Sequence, residues 1–365
     1  MKDIFRSFNA GRATFFLMVF ICCLLAVAVL KIASAVILPF TIAILLAFVL
    51  YPLVKALDKL HFPRFLSISL IVVIIVAVFY SFGIVLFNSG KVIIAQYPKY
   101  EKRLTEIYIW AARSFGLSYD EGLTFWENMW GQLGVRTWVY RLTFSFSSIF
   151  IKFLQNAVLV VIFVGFILFE ASYFKQKLET AFENRSDRIN RMGHDVMAQV
   201  SRYLTAKFFI SLANGVIFAV SFHVVGLEFA VVWGVIQFLL NFVPTIGSIV
   251  AGLGICLSAL LQFWPDPGPI IVVIIIVLVV NIIIGSIMDP KIIGDHVGIS
   301  PLMIMLSLLC WGWIWGFVGM LLAVPMTVII KIVCENIPIM EPVSILIGSR
   351  KSVHAAKVAR EKSEP

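Results

Sequence analysis

Charge is scarce in this chain. Asp, Glu, Lys and Arg make up 13% of its 365 residues, about half the share found in soluble domains. The deficit excludes an ordinary water-soluble globule, because 61% of the residues are hydrophobic. Cysteine is also sparse. Cys22, Cys23, Cys256, Cys310 and Cys334 all lie within or beside apolar runs, which excludes a disulfide framework and leaves them as small hydrophobes in helix packing. The motifs of catalysis are absent as well: no His-Glu-x-x-His, no glycine-rich phosphate loop with lysine, no nucleophile elbow and no local Ser/His/Asp arrangement. His194 and Asp195 lack the companions a metal would need. Neither enzyme chemistry, a metal nor a cofactor is expected.

What the chain has is hydrophobic length. Several runs reach the roughly 20 residues that cross a bilayer, so the fold class expected is an all-α membrane protein with about eight hydrophobic segments. The apolar spans are 14–30, 32–54, 65–88, 149–170 and 208–226, followed by 228–262, 269–288 and 301–333. The first run, "TFFLMVFICCLLAVAVL", has no small-x-small cleavage site before Lys31 and reads as a retained span. Lys31 to Ser34 leave almost no loop, so the first two spans are expected to form a tight helical hairpin.

The net charge of +9 does not indicate nucleic acid, because the basic residues scatter between spans. It fits the excess of Lys and Arg in cytoplasmic loops. With the N-terminus inside, nineteen of the twenty-nine basic residues fall on the cytoplasmic side, and both termini are expected there. The lipid bilayer is thus the first partner.

Two polar regions separate the spans. Residues 89–148 hold nine Tyr and Trp residues with seven basic and five acidic ones, and "YEKRLTEIYIWAARSF" places apolar residues at helical spacing. They read as a small helical region lying at the membrane interface, where aromatic rings are favoured; an aromatic cage for a ligand is the other reading. Residues 171–207 read as a helical cytoplasmic linker, and 336–365 as a cytoplasmic tail.

The stretch "LLNFVPTIGSIVAGLG" breaks the pattern. Asn241, Pro244, Thr245, Gly247 and Ser248 stand inside an apolar run, and irregular backbone at membrane depth is tolerated only within protein or beside a wet cavity. At 1.5 Å per residue, 228–243 and 246–262 make helices of about 24 and about 25 Å, each short of the roughly 30 Å hydrocarbon core. A re-entrant hairpin is therefore expected, against the alternative of a crossing. The run 301–333 repeats the plan, with Pro301 as helix starter and a break at "WGWIWG". Each hairpin follows one plain span, which predicts two span-plus-hairpin units over 208–335. Paired interrupted segments of this kind point to a transporter's binding site.

The candidate path residues are neutral: Asn241, Pro244, Thr245, Gly247 and Ser248 at the turn, with Asn214, Gln237 and Asn281 on the flanking helices. Amides and hydroxyls both donate and accept, which suits a small polyhydroxylated solute; the structural alternative is hydrogen bonding between helices. Asp289, in "MDPKIIG", is the candidate for coupling to a proton or sodium ion, or else a helix cap.

"LNFVPTIGSIVAGL", "MDPKIIGDHVGISPL" and "WGWIWGFVGMLLAVPMTVIIKI" resemble the autoinducer-2 exporter family of bacterial membrane proteins, and "SRYLTAKFFISLANGVIFAV" fits too. The resemblance is specific over about residues 200–335 and one of layout over 1–170. It implies an eight-segment inner-membrane protein, homo-oligomeric, that exports the quorum-sensing signal autoinducer-2 or, in some members, exchanges sodium for protons. The motif positions that would shape the backbone are Pro244, Gly247, Pro290, Gly294, Pro301, Gly312, Gly316, Gly319 and Pro325. Many relatives carry a carboxylate just before the glycine at 285, where this chain has Ile284; that departure argues against ion coupling through that helix. The rival from another class is a membrane scaffold that presents 89–148 to a partner.

Overall fold

The computed structural model describes residues 10–116, 120, 135–181, 186–292, 298–337 and 340–349. Gly294, most of 117–134, the extreme termini and some side chains, including those of Pro290 and His194, lie outside the described set. The described chain is almost wholly helical, and its one piece of β pairing is an isolated antiparallel bridge between Ile299 and Gly348. Helices α1 (Ala10–Ile32), α2 (Ser34–Lys59), α3 (Arg64–Phe115) and α4 (Val135–Ala181) are followed by α5 (Ser186–Val225), α6 (Ala230–Leu240) and α7 (Ile246–Phe263). Then come α8 (Pro267–Ile282), a π-helical turn (Ile283–Met288), α9 (Asp289–Ile292), α10 (Pro301–Glu335) and α11 (Glu341–Ile347). Among the described residues, seven helical stretches are long and apolar enough to cross a membrane. This is an all-α membrane protein.

Local chemistry sets the helix ends. Asp266 caps α8 by accepting from the Gly268 amide at 3.0 Å, with Pro267 in the first turn. Ser300 caps α10 by accepting from the Met303 amide at 3.3 Å, with Pro301 as the expected starter. Gly116 closes α3 in the left-handed conformation, φ 68°. Burial on α8 is one-sided: it is apolar along nearly its whole length yet buries only Val273 and Val277. Outward Leu, Ile and Val are at home against lipid.

Two differences from expectation stand out. A single residue, Ala33 at φ −86° and ψ 15°, separates α1 from α2, and Leu17, Met18, Phe20 and Leu25 on α1 are each more than half exposed. One residue in near-helical geometry cannot reverse the chain, so α1 bends away instead of packing back along α2. Second, residues 89–115 continue α3 without a break, giving a helix of 52 residues, about 78 Å long, and α4 already begins at Val135. Hydropathy marks where a helix leaves the apolar slab, not where its hydrogen bonding stops.

Among the described residues, four buried clusters hold the helices together. Val54, Ile71 and Val164 unite α2, α3 and α4. Leu45, Val200, Val328 and Ile347 tie α2 to α5, α10 and α11. Phe218, Phe222, Ile255 and Val273 join α5, α7 and α8. The fourth gathers Val243, Leu308, Trp311, Trp315 and Ala323. It brings the turn after α6 to the middle of α10.

Candidate functional site

Helices α6 and α7 form an antiparallel hairpin. A Cβ on Gly247 would lie 1.8 Å from the Leu240 carbonyl oxygen, and one on Gly254 would lie 2.7 Å from the Trp233 ring, so both pairs sit level across the two arms. The open end is tied as well: Gln262 Oε1 accepts from the Glu228 amide at 2.6 Å, and its Nε2 donates to the Gly226 carbonyl at 2.7 Å. At the tip, Thr245 has φ 63° and ψ −56°, and the Ile246 amide donates to the Pro244 carbonyl at 2.7 Å. This is a γ-turn with positive φ, rare and strained in a non-glycine residue. Thr245 is exposed, Pro244 and Ser248 are half-buried and Gly247 is buried.

The second hairpin is hidden in α10. Its hydrogen bonding runs as helix over Pro301–Glu335, but Gly316 has φ 63° and ψ −143°, a conformation reserved for glycine. The chain turns back there. A Cβ on Gly319 would meet the Trp311 carbonyl oxygen at 1.9 Å, one on Gly312 would meet Met320 at 2.9 Å, and Ser307 Oγ donates to the Ala323 carbonyl at 3.0 Å. In one straight helix Ser307 and Ala323 would stand about 24 Å apart. Pro325 is buried in the returning arm, and Pro301 opens the first. The break expected at "WGWIWG" therefore falls at Gly316. Val243 from the first tip and Trp315 from the second share one buried cluster, and Trp315 Nε1 donates to the Leu30 carbonyl of α1 at 3.0 Å. The two tips converge.

Beside the first hairpin runs a polar seam. Gly215 and Gly234 let α5 and α6 cross in close contact, because a Cβ on either would press on the other's carbonyl oxygen at 2.7 or 2.5 Å. Around that crossing Asn241 Nδ2 donates to Ser211 Oγ at 2.9 Å, and Gln237 Nε2 donates to Asn281 Oδ1 at 3.1 Å. Asn214 is fully buried, and among the described residues neither atom of its amide finds a hydrogen-bond partner, nor does Gln237 Oε1. The register set by Ser211 against Asn241 and by Gly215 against Gly234 puts Asn214 level with Gln237. All four expected amides thus belong to one seam. Thr245 and Ser248 show no hydrogen bond to these amides.

Lys207 and Ser211 are residues that the sequence reading missed. Lys207 is 3% exposed, and its Nζ pairs with Asp289 Oδ2 at 2.8 Å. It lies one helical turn from Ser211 and two from Asn214, on the same face of α5. Asp289 has helical φ −55° and ψ −53°, so it continues the helix after the π turn and does not cap one. Its carboxylate turns to Lys207 instead, and its Oδ1 has no partner among the described residues. The spacing 207, 211, 214 carried the signal, at the edge of a stretch that reads as linker by charge. Pro290 follows in α9.

At the open end of the first hairpin, Glu228 accepts from Lys99 at 2.5 Å and from the Tyr100 hydroxyl, and Trp110 meets Trp264 edge-on at 5.1 Å. The extension of α3 therefore clasps the hairpin mouth. Burial alone would raise the Glu228 carboxyl, but the hydrogen bonds from Lys99 and Tyr100 and the charge of Lys99 hold it below its usual value. The Tyr100 hydroxyl is pushed up, chiefly by burial and then by its bond to Glu228.

Comparison with known proteins identifies the family. The sequence model for the "AI-2E family transporter" group matches residues 15–339. A Borreliella burgdorferi protein named "Putative transport protein" is 30% identical over 89% of this chain and 88% of its own length. "Putative transport protein YhhT" of Escherichia coli (strain K12) is 32% identical over 87% of this chain and 89% of its own. The "AI-2 transport protein TqsA" of the same strain is 27% identical over 87% and 91%. The chain belongs to the AI-2E family of transporters.

Proposed function

We propose that this protein is a secondary exporter that moves a small polar, polyhydroxylated metabolite along the seam between α5, α6 and α8, with autoinducer-2 as the leading substrate. The observation that carries this reading is Asn214. A fully buried amide with no partner among the described residues on either atom costs about 1–3 kcal/mol in each unsatisfied group. That cost is rational where a solute's hydroxyls complete the hydrogen bonds during passage. Ser211, Gln237, Asn241 and Asn281 extend the same chemistry along the seam, and the strained turn at Pro244 and Thr245 stands at its end. The choice of autoinducer-2 is supported by the name of the relative TqsA.

In this reading 208–335 is the transport core, and each hairpin enters the bilayer and turns back at mid-depth, so that the converging tips form the barrier. The unit sits in the bacterial inner membrane with both termini cytoplasmic, as a homo-oligomer. Asp289 Oδ1, which has no partner among the described residues, offers a place for a coupling proton or sodium ion. Spans α1 to α4 form the frame against which the core rocks.

The test is efflux of autoinducer-2 from loaded proteoliposomes. Asn214→Leu and the pair Asn241→Ala with Pro244→Ala are expected to lower the rate at least tenfold. Wild-type rates in both would remove the seam from the path.

A further inference from the structure

On the far side of α5 from the amide seam lies a cleft of about 520 Å³ between α2 and α5, within the range of about 300–1,000 Å³ typical of ligand sites. Its origin is a proline. Pro52 sits inside α2, has no N–H to give the Phe48 carbonyl one turn back, and its ring pushes against that turn. Ser201 of α5 answers the freed carbonyl, donating to it at 2.9 Å. Phe48, Tyr51 and Pro52 wall one side of the cleft, and Met197, Ala198 and Arg202 the other. The lining is overwhelmingly apolar; the polar groups its residues carry are the Arg202 guanidinium and the hydroxyls of Tyr51, Ser201 and Thr205.

Arg202 is exposed and makes no hydrogen bond or ion pair with another described residue. Along α2, Lys55 and Lys59 follow Tyr51 by one and two turns, both exposed, with Asp58 as the acidic group between them. Leu53, next to Pro52, and Phe209, one turn beyond Thr205 on α5, are 54% and 62% exposed, apolar surface of the kind that suits lipid chains. Guanidinium forks match phosphate oxygens, and basic clefts between membrane helices near the interface recognise anionic head groups.

We propose that this cleft is a binding site for an anionic phospholipid. One acyl chain lies along Phe48, Pro52 and Ala198, and the phosphate is held by Arg202 with Thr205 beside it. The lipid fills the gap opened by Pro52 and so braces α2, a helix of the frame, against α5, which carries the seam on its other side. This does not depend on which solute the seam takes.

Native mass spectrometry of the purified full chain tests the proposal, with phosphatidylglycerol, phosphatidylcholine, dodecyl phosphate and inorganic phosphate as probes. The wild type is expected to retain phosphatidylglycerol at least fivefold over phosphatidylcholine. Arg202→Gln and the cleft-filling Ala198→Phe should abolish that preference, while Lys152→Gln, at an exposed position on α4, should leave it in place. Dodecyl phosphate should displace the lipid and inorganic phosphate should not. Equal retention of the two lipids, an unchanged preference in Arg202→Gln, or displacement by inorganic phosphate would each overturn the assignment. So would loss of an oligomer, in place of lipid, in Ala198→Phe, because the occupant would then be a second copy of the chain.

Discussion

The Lys207 ammonium stands 2.8 Å from Asp289 Oδ2 with only 3% of its side chain exposed, which joins α5 to the helix that follows the π turn. Removing one partner leaves the other charge buried without compensation, at a cost of about 3–5 kcal/mol, whereas removing both is often neutral. Lys207→Met and Asp289→Asn are each expected to lower the unfolding temperature in detergent sharply. The double variant should recover most of the loss. Additive losses in the double variant would mean that the pair is not coupled.

How much of this site was legible beforehand depends on the kind of residue. An amide in an apolar run announces itself, so Asn214, Gln237, Asn241 and Asn281 were found, and they do fall on one seam. The two breaks were legible from Pro244 and from the glycines around Trp313, because few residue types permit such backbone. Lys207 was assigned to the polar linker, since a charge at the edge of an apolar run looks the same whether it faces water or a buried carboxylate. The clasp on Glu228 was out of reach for another reason. Its partners Lys99 and Tyr100 lie 129 and 128 residues away, on a helix whose continuation past the apolar slab leaves no hydropathy signature.

That clasp gives the protein a defined acid response. The folded Glu228 carboxyl lies below its ordinary value of 4.5, so its contribution to stability is complete above that value. It is lost as the pH falls through the lower folded value. Glu228→Gln should be less stable than the wild type at about pH 6, and the two should converge as the pH falls below the lowered folded value. The difference will be modest, because Lys99 is half exposed and solvent screens the pair. A gap in unfolding temperature that is constant with pH would refute the charge-based account.

The unpartnered amide of Asn214 separates function from stability. Replacing a buried, unsatisfied polar group by an apolar one of similar volume removes a penalty of about 1–3 kcal/mol. Asn214→Leu is therefore expected to match or exceed the wild type in thermal unfolding while losing transport. A clear fall in stability would show that the amide is satisfied within the protein, and would take away the reason for placing a solute there.

Gly316 decides between a folded-back α10 and a straight one by the sign of a single substitution. In a continuous helix, glycine to alanine stabilises by about 1 kcal/mol, because alanine has the highest helix propensity. At φ 63° and ψ −143° the same change forces a Cβ into a region that only glycine occupies, at a cost of about 1–3 kcal/mol. Gly316→Ala should therefore destabilise. Gly319→Ala should destabilise more, since its Cβ would meet the Trp311 carbonyl oxygen at 1.9 Å and push the two arms apart. Chemical or thermal unfolding of the two variants in the same detergent reads both effects. Stabilisation by Gly316→Ala would mean that the run crosses as one rod, and the convergence of Trp315 with Val243 at the two tips would lose its basis.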